Sequence, residues 1–330
     1  MNEPTADADV IRKVIHSKWG AVIIPAAVGL GLCWISTHLV NLYGGVLFLG
    51  LPLIVSFLAA FFHSFQRRIG FKGLYGIAAL SILTLGGMIL VVAFDGLICL
   101  LMALPLALLM AVPGAWLGGL AGRAASGKAS SILPLVLVFL FPCLVAFEDS
   151  HPADAPLRQI TTSVEISAPI GRVWETVIAF PEIKTPPDGV FRFGIAYPIR
   201  ASIDGTGIGA TRLCTFCTGD FVEPITRWDE NRLLAFDVKA SPPPMEEFSL
   251  YEKIDVPHLH GHMASEKGQF RLEQKGDKVL LEGTTWYRHQ MWPQWYWIPM
   301  TDRIIHKIHG RVLNHIRYTV ESPPVADPGK

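Results

Sequence analysis

Three side chains able to do acid–base chemistry stand in one row near the end of the chain. Asp302, His306 and His309 are spaced i, i+4 and i+7, so they lie along one side of a helix. His309 falls inside the apolar arc of that helix, and the other two lie at its edge. This row is typical of a polar anchor directed into a cavity, with an imidazole as general base beside an orienting carboxylate. It is also typical of a core histidine paired with the sheet, and burial favours that second interpretation because buried polar groups are normally hydrogen-bonded.

Other candidate polar groups lie on predicted strands. Arg212, Glu223 and Glu282 are each either pocket charges or solvated outer-face residues, and the sequence leaves both options open. Alternation places Leu281 and Tyr287 on one face of the last strand, opposite Glu282. If Leu281 faces inward, Tyr287 lines the interior.

Two motifs could in principle bind a metal ion or react. The alternating His258, His260 and His262 would place three imidazoles on one side of an extended segment and could hold zinc. Gly261 and the polar neighbours favour a solvated loop instead, so we predict no metal site there. Cys214 and Cys217 form a lone CxxC on a strand, where they point to opposite faces and are predicted to stay free.

An aromatic run precedes the closing helix. Its members are Trp292, Trp295, Tyr296 and Trp297. Such rings either pack in the core at the entry to the helix or form a lip that touches a bilayer or a cavity mouth.

The soluble half begins at residues 161–180, where a half-buried strand leads into an amphipathic helix that carries Trp174 on its apolar face. Further strands are predicted at 191–198, 210–217, 221–228, 233–239, 268–274 and 278–289. A turn at 218–220 separates two of them, and a long irregular insertion spans 241–267. The closing helix is predicted over about 301–321. A curved antiparallel sheet around one long helix leaves an apolar cavity suited to a small molecule.

The first half of the chain is different in kind. Hydrophobic residues make up 51% of the sequence and charged ones 17%, which is too apolar for an ordinary soluble protein. Five runs are long enough to span a bilayer, at about 20–41, 44–63, 74–94, 97–119 and 131–147. The predicted organisation is a tail (1–18), a transmembrane region (19–147), a linker (148–159), a soluble domain (160–322) and a disordered tail (323–330).

The basic residues alternate between connections. They precede the first span, follow the second and follow the fourth, whereas the turns at 41–44 and 95–96 carry none. By the positive-inside rule the N-terminus is cytoplasmic, and five spans place the C-terminal domain outside. Asp95 is interpreted as a cap of a surface turn, and Cys33, Cys99 and Cys143 as small apolar core residues. No basic stripe suggests nucleic-acid binding.

The soluble half resembles the SRPBCC or START-like superfamily, which includes polyketide cyclases and lipid-transfer domains. VEISAPIGRVWETV resembles its opening strand and helix, and GTGIGATRLCTF with GDFVEPITRWDENRLLAFDV resembles its central hairpins. GQFRLEQKGDKVLLEGTTWY and the closing helix complete a match over about 160–321. The resemblance implies a helix-grip fold of the α+β class, here preceded by an all-α transmembrane bundle. It does not imply an activity, because the superfamily shares a cavity and not a catalytic residue set.

The sequence therefore predicts a multi-pass membrane protein whose START-like domain binds or presents a hydrophobic small molecule or lipid. The predicted ligand-binding residues are Trp174, Arg212, Tyr287, Trp297, Asp302 and His309, with no catalytic residue, metal or cofactor. Two alternatives remain. One is a cyclase or dehydratase-like enzyme with Asp302, His309 or Tyr287 as acid–base groups, and the other is a structural subunit of a membrane complex.

Overall fold

The structure, a computed structural model, describes residues 17–65, 67–125, 132–251, 254 and 256–322. The predicted terminal tails and Lys128 lie mostly or wholly outside the described residues. The chain divides into two compact units. The helical unit comprises Met1–Ala153 and Glu247–His258, and the sheet unit comprises Asp154–Glu246 and Leu259–Lys330.

Five helices of the helical unit are long and apolar enough to cross a membrane. They are α1 (Gly20–Leu39), α2 (Val46–Ser64), α3 (Phe71–Val91), α4 (Leu97–Ala124) and α5 (Ile132–Ser150). The five predicted spans are thus confirmed as helices, with ends displaced by a few residues. The last one continues through the first residues of the predicted linker, because Glu148 is held by hydrogen bonds inside the unit.

Helices α2 and α4 pack with their backbones in close approach. A Cβ on Gly118 would lie 2.2 Å from the carbonyl oxygen of Phe57, and one on Gly122 would lie 2.6 Å from that of Phe61. Glycines spaced by four residues allow such contact between apolar helices, because no side chain holds the two backbones apart. Larger residues at these positions would separate the two helices.

The end of α5 lies beside the turn between α1 and α2. Glu148 accepts hydrogen bonds from the backbone N–H of Gly45 (2.6 Å) and of Val46 (3.0 Å). A carboxylate at a helix N-terminus satisfies orphan donors and complements the helix dipole. The chain therefore leaves the bundle at the same end as the first turn, as expected when α1 and α5 run in the same direction.

The sheet unit is a curled antiparallel sheet with a long closing helix, the helix-grip arrangement. Its strands are β1 (Arg158–Ile166), β2 (Pro198–Asp204), β3 (Thr211–Phe216), β4 (Gly219–Asp229), β5 (Leu233–Asp237), β6 (Met263–Lys275) and β7 (Lys278–His289). They pair in the order β1-β7-β6-β5-β4-β3-β2. Helix α6 (Ile170–Ile178) follows β1, and α7 (Gln294–Glu321) closes the unit.

One face of the sheet forms the core together with both helices. Leu281 and Tyr287 of β7 are fully buried, which identifies the inner face of that strand, and Glu282 points to the other side. Leu313 and Ile316 of α7 pack against this face. Val164 and Leu272 stand opposite Leu281 on the neighbouring strands, because side chains paired across strands share one face.

Two predicted elements are corrected by the structure. The strand expected at 191–198 is wrong: Gly189–Phe193 forms a 3-10 helix, Gly194 has a φ of +86°, and β2 starts only at Pro198. A left-handed residue ends regular structure, so the alternation of apolar residues there does not extend a strand. The predicted insertion is also shorter, because β6 already begins at Met263.

The closing helix begins earlier than predicted. It starts at Gln294, so most of the aromatic run forms its first two turns instead of preceding it. Pro299 argued against this, since proline removes a helical hydrogen bond. Pro299 is the sixth residue of the helix, beyond the first four N–H groups that lack an intrahelical partner, so α7 forms with one backbone hydrogen bond fewer.

Candidate functional site

A buried ion pair lies on the inner face of the sheet. Arg212 of β3 and Glu223 of β4 stand directly opposite each other, and Nη1 of Arg212 donates to the carboxylate. Their side chains are only 1% and 8% exposed. Burial raises the pKa of Glu223, and the guanidinium of Arg212 opposes that shift. We call this the central ion pair.

Three aromatic rings surround the guanidinium of Arg212. Its Cζ lies 5.7 Å from the ring centre of Phe180, 5.6 Å from that of Phe236 and 5.4 Å from that of Phe270. These distances are within the range of cation–π attraction. The central ion pair is thus enclosed by apolar walls.

One nitrogen of the guanidinium, Nη2, has no oxygen or nitrogen acceptor among the described residues. Nε donates to the carbonyl oxygen of Ile178 at 3.1 Å, whereas Nη2 is buried without such an acceptor. The polar neighbour of the guanidinium on β3 is the thiol of Cys214, a weak hydrogen-bond partner for Arg212. Burial raises the pKa of that thiol to about 12, so it stays protonated at neutral pH. A buried N–H without an acceptor is rare and costly.

Local structure explains how the central ion pair forms. The β3–β4 connection is a two-residue loop, which pairs Phe216 with Gly219 and so sets Arg212 opposite Glu223. Across the sheet, Gly268 stands opposite Phe236, and a Cβ there would lie 2.6 Å from the ring. Because glycine has no side chain at this position, the Phe236 ring can lie close to the backbone of β6.

A second polar group joins the closing helix to β1 and β7. The hydroxyl of Tyr287 donates to Oδ1 of Asp302, and Nη2 of Arg158 lies 3.1 Å from Oδ2 of the same carboxylate. Arg158 and Tyr287 are paired across the two strands, so one carboxylate on α7 serves both. Burial raises the pKa of Tyr287, and the hydrogen bond to Asp302 raises it further.

His309 lies two helical turns further along α7. Its Nδ1 is hydrogen-bonded to the hydroxyl of Thr162 (3.1 Å) and its Nε2 to that of Thr285 (2.8 Å). Burial lowers the pKa of His309 to about 4, and the neighbouring His306 lowers it as well. The ring is therefore neutral, and both of its nitrogens are engaged. We call Asp302, His306 and His309 with these partners the helix row.

The six predicted ligand-binding residues fall into separate groups. Tyr287, Asp302 and His309 belong to the helix row, and Arg212 belongs to the central ion pair. Trp174 packs edge-to-face against Trp228 in the apolar core, with ring centres 5.6 Å apart. Trp297 is buried in the first turns of α7 beside Tyr296, whereas Trp295 is exposed. The aromatic run thus contributes both core and surface.

Several residues of the site were missed or left undecided by the sequence analysis. Glu223 was left open between pocket and surface, and Arg158 was assigned to the linker. The three phenylalanines come from distant segments and carry no local signal. Thr162 and Thr285 are hydroxyl residues on strands, a pattern too common to single out.

The cysteine motif behaves as predicted, whereas the histidine segment differs from the predicted solvated loop, because His258 and His262 are buried. Cys214 and Cys217 are free. Gly261 has a φ of +84°, so the three-histidine segment is not extended, and His258 is buried while His260 is exposed.

Comparison with known proteins gives structural neighbours only. No protein-family model matches the chain, and no curated protein matches it. The ZhuI aromatase/cyclase from Streptomyces sp. R1128 is 13% identical with a TM-score of 0.35, covering 53% of this chain and 100% of its own. Truncated norcoclaurine synthase from Thalictrum flavum is 14% identical with a TM-score of 0.32, covering 52% of this chain and 98% of its own.

A third neighbour is the Aha1 dimer from Colwellia psychrerythraea. It is 15% identical with a TM-score of 0.29, covering 51% of this chain and 99% of its own. These neighbours are START-like proteins, and all of them are distant in identity and in TM-score.

Proposed function

We propose that the sheet unit binds a hydrophobic small molecule or lipid in its interior, where a polar atom of the ligand accepts a hydrogen bond from Nη2 of Arg212. One observation carries this proposal: a fully buried guanidinium, walled by three phenylalanine rings, retains a donor without an oxygen or nitrogen acceptor among the described residues. Leaving such a group unpaired costs about 1–3 kcal/mol, and a ligand oxygen would remove that cost.

The charges of Arg212 and Glu223 favour a neutral ligand over an anionic one. Glu223 already neutralises Arg212, so an anionic ligand beside them would be repelled by the carboxylate. A neutral acceptor, such as an ester, ketone or hydroxyl oxygen, satisfies Nη2 without adding charge. The proposed ligand is therefore an apolar molecule with a neutral oxygen at one end.

Membrane attachment is the second part of the proposed function. The five apolar helices would anchor the chain in a bilayer, with the sheet unit outside the cytoplasm. Arg67 and Arg68 lie between α2 and α3, Lys72 lies in the first turn of α3 and Arg123 lies at the end of α4, whereas the turns at 41–45 and 92–96 carry no basic residue. Positive residues favour the cytoplasmic side, and the exit of the chain beside the first turn supports the opposite side for the sheet unit.

Catalysis of the cyclase or dehydratase kind is less well supported. It would use Asp302, His309 or Tyr287 as acid–base groups, but both ring nitrogens of His309 are hydrogen-bonded within the sheet unit. This pairing favours a role in positioning α7. A third option, a structural subunit of a membrane complex, predicts no ligand at all and is separated from binding by the test below.

The test compares two probes of equal chain length on the full chain in detergent. We expect monooleoylglycerol to bind more tightly than oleic acid, measured by quenching of tryptophan fluorescence. Replacing the central ion pair (Arg212→Met with Glu223→Leu) should weaken monooleoylglycerol binding by about tenfold, the equivalent of one hydrogen bond.

The matched control lies on the outer side of the sheet. Arg227 and Asp229 also form an ion pair on β4, at 2.7 Å, but their side chains are 62% and 39% exposed. Arg227→Met with Asp229→Leu should leave binding unchanged. Equal loss in both double variants, or no binding of either probe, would contradict the proposal.

A further inference from the structure

A separate polar cluster lies in the helical unit, where the turn between α3 and α4 meets the segment Glu247–His258. It consists of Asp95, Cys99, Glu247 and His258, and the ligating atoms of all four lie within 4.8 Å of one another. Sγ of Cys99 is 2.7 Å from Nε2 of His258, and Nδ1 of that ring is 3.8 Å from Oδ2 of Asp95. The cluster joins two stretches of chain about 150 residues apart.

Backbone contacts hold the two stretches together. The carboxylate of Glu247 accepts from the N–H of Ile98 (2.9 Å) and of Cys99 (3.1 Å), at the first turn of α4. The carbonyl oxygen of Phe248 accepts from the N–H of Leu97 at 2.9 Å. Gly96 makes this approach feasible, because a Cβ there would lie 2.1 Å from Oε2 of Glu247.

Among the residues that the structure describes, the cluster has little positive charge around its carboxylates. It brings together two carboxylates, and the ion pairs of the described residues give Asp95 only His258 and give neither carboxylate a lysine or arginine. His258 is buried, and the other three residues are half-buried. Two carboxylates in a poorly hydrated place repel each other unless a cation lies between them.

We propose that these four side chains form a zinc site. A thiolate, an imidazole and two carboxylates match the ligands that Zn²⁺ uses, whereas Mg²⁺ and Ca²⁺ prefer oxygen alone. The hydrogen bonds that Glu247 accepts from α4 leave each of its oxygens a further lone pair for the ion, and such bonds orient a ligating carboxylate.

Binding requires one deprotonation step. The thiol of Cys99 releases its proton to solvent and the thiolate forms the Zn–S bond, while His258 binds as the neutral ring. Four protein ligands close the tetrahedral shell, so the site is structural and leaves no position for substrate. The ion would fasten the segment Glu247–His258 to the turn between α3 and α4.

Cobalt gives the most direct test, because Co²⁺ takes zinc sites and a thiolate ligand adds a charge-transfer band in the near ultraviolet. The full chain, purified in detergent with a tag that lacks histidine, is stripped of metal and titrated with Co²⁺. We expect tetrahedral visible bands and the sulfur band to saturate at a single equivalent and to vanish on addition of Zn²⁺. A spectrum without the sulfur band, or no saturation at one equivalent, would overturn the proposal.

Variants assign the ligands. Cys99→Ser should abolish the sulfur band, and His258→Gln should weaken Zn²⁺ binding by more than about a hundredfold, because even outer-shell changes cost 10–100-fold. The matched controls are Cys143→Ser and His260→Gln, which change exposed residues on α5 and in the same loop as His258. A sulfur band that survives in Cys99→Ser, or one lost in Cys143→Ser, contradicts the assignment. The wild-type cobalt spectrum decides the matter even if a variant fails to fold.

Discussion

The sheet unit contains two polar groups that differ in how completely they are satisfied. In the central ion pair, Arg212 and Glu223 are buried almost entirely, and Nη2 of the guanidinium has no oxygen or nitrogen acceptor among the described residues. In the helix row, Asp302 serves two donors and both nitrogens of His309 are bonded. The sequence analysis weighed a pocket anchor against a core histidine paired with the sheet, and these hydrogen bonds support the second interpretation, in which the row attaches α7 to the sheet.

The contrast between the central ion pair and the helix row indicates where a ligand would bind. A satisfied group fixes structure, whereas a buried donor left without an acceptor marks a place where something else completes the bonding. Burial also determines how much stability is lost when an ion pair is broken, because a charge in a dry interior depends on its partner far more than a charge near water does. Four predictions sharpen this contrast.

The largest effect is expected when only one partner of the central ion pair is removed. Glu223→Leu leaves the guanidinium buried without a counter-charge and should lower the free energy of unfolding of the sheet around β3 and β4 by about 3–5 kcal/mol. The double variant with Arg212→Met should be less destabilised than the single one, because both charges are gone. Hydrogen exchange of the β3 and β4 amides measures the opening. A double variant at least as unstable as the single one would refute this account.

Substituting a glycine should have different effects on stability beside the central ion pair and beside α7, because the two places differ in packing. Gly268→Ala places a methyl group 2.6 Å from the Phe236 ring and should destabilise by about 1–3 kcal/mol, because overpacking displaces that ring. Gly283→Ala, beside α7, meets its nearest atoms at 3.6 Å, an ordinary contact, and should be neutral or slightly stabilising. Thermal unfolding followed by tryptophan fluorescence compares them. Equal shifts in Tm would show that the ring is not confined.

The pH dependence of the helix row follows from His309. Its pKa of about 4 lies below the ordinary 6.5, so the fold favours the neutral ring. This contribution is complete above pH 6.5 and is lost as the pH falls towards 4, amounting to about 1–2 kcal/mol between pH 7 and 5. NMR titration of labelled histidine, assigned with His309→Gln, gives the pKa directly. A value near 6.5 would contradict the burial of the ring.

The smallest effect is expected at the exposed end of the helix row. Arg158 and Asp302 are 37% and 23% exposed, and water screens such a pair. Asp302→Asn keeps an acceptor for Tyr287 and should cost about 0–1 kcal/mol. Hydrogen exchange in the first turns of α7 measures it. A loss as large as that of Glu223→Leu would remove the distinction between the two regions.

Local pattern predicted much of the fold. The strand and helix of residues 161–180 appear as β1 and α6, because alternation and helical periodicity are properties of a single segment. The five apolar helices were predicted for the same reason. The register of β3 and β4 was not, because the turn was placed at 218–220 instead of at Cys217 and Thr218. A small shift of a hairpin turn changes which residues face each other, so the sequence analysis did not predict that Glu223 pairs with Arg212.

Long-range contacts explain the remaining misses. The three rings around Arg212 come from three separate stretches of the sequence. The pairing of β5 with β6 brings Phe236 close to Phe270, and Phe180 joins them from the segment after α6. Likewise, Glu247 and His258 reach Asp95 and Cys99 from a segment predicted as a solvated insertion. The residue spacing within one stretch of sequence gives no indication of its contact with the other stretch.

The most direct test of the central claim is to map where a bound lipid lies. The full chain, reconstituted in vesicles, is loaded with a monoacylglycerol that carries a diazirine in its acyl chain, illuminated, digested and sequenced by mass spectrometry. We expect adducts on the peptides that contain Phe180, Phe236 or Phe270, reduced by excess unlabelled monooleoylglycerol and by the Arg212→Met, Glu223→Leu variant. Adducts confined to α1–α5, with none on the inner face of the sheet, would contradict the account.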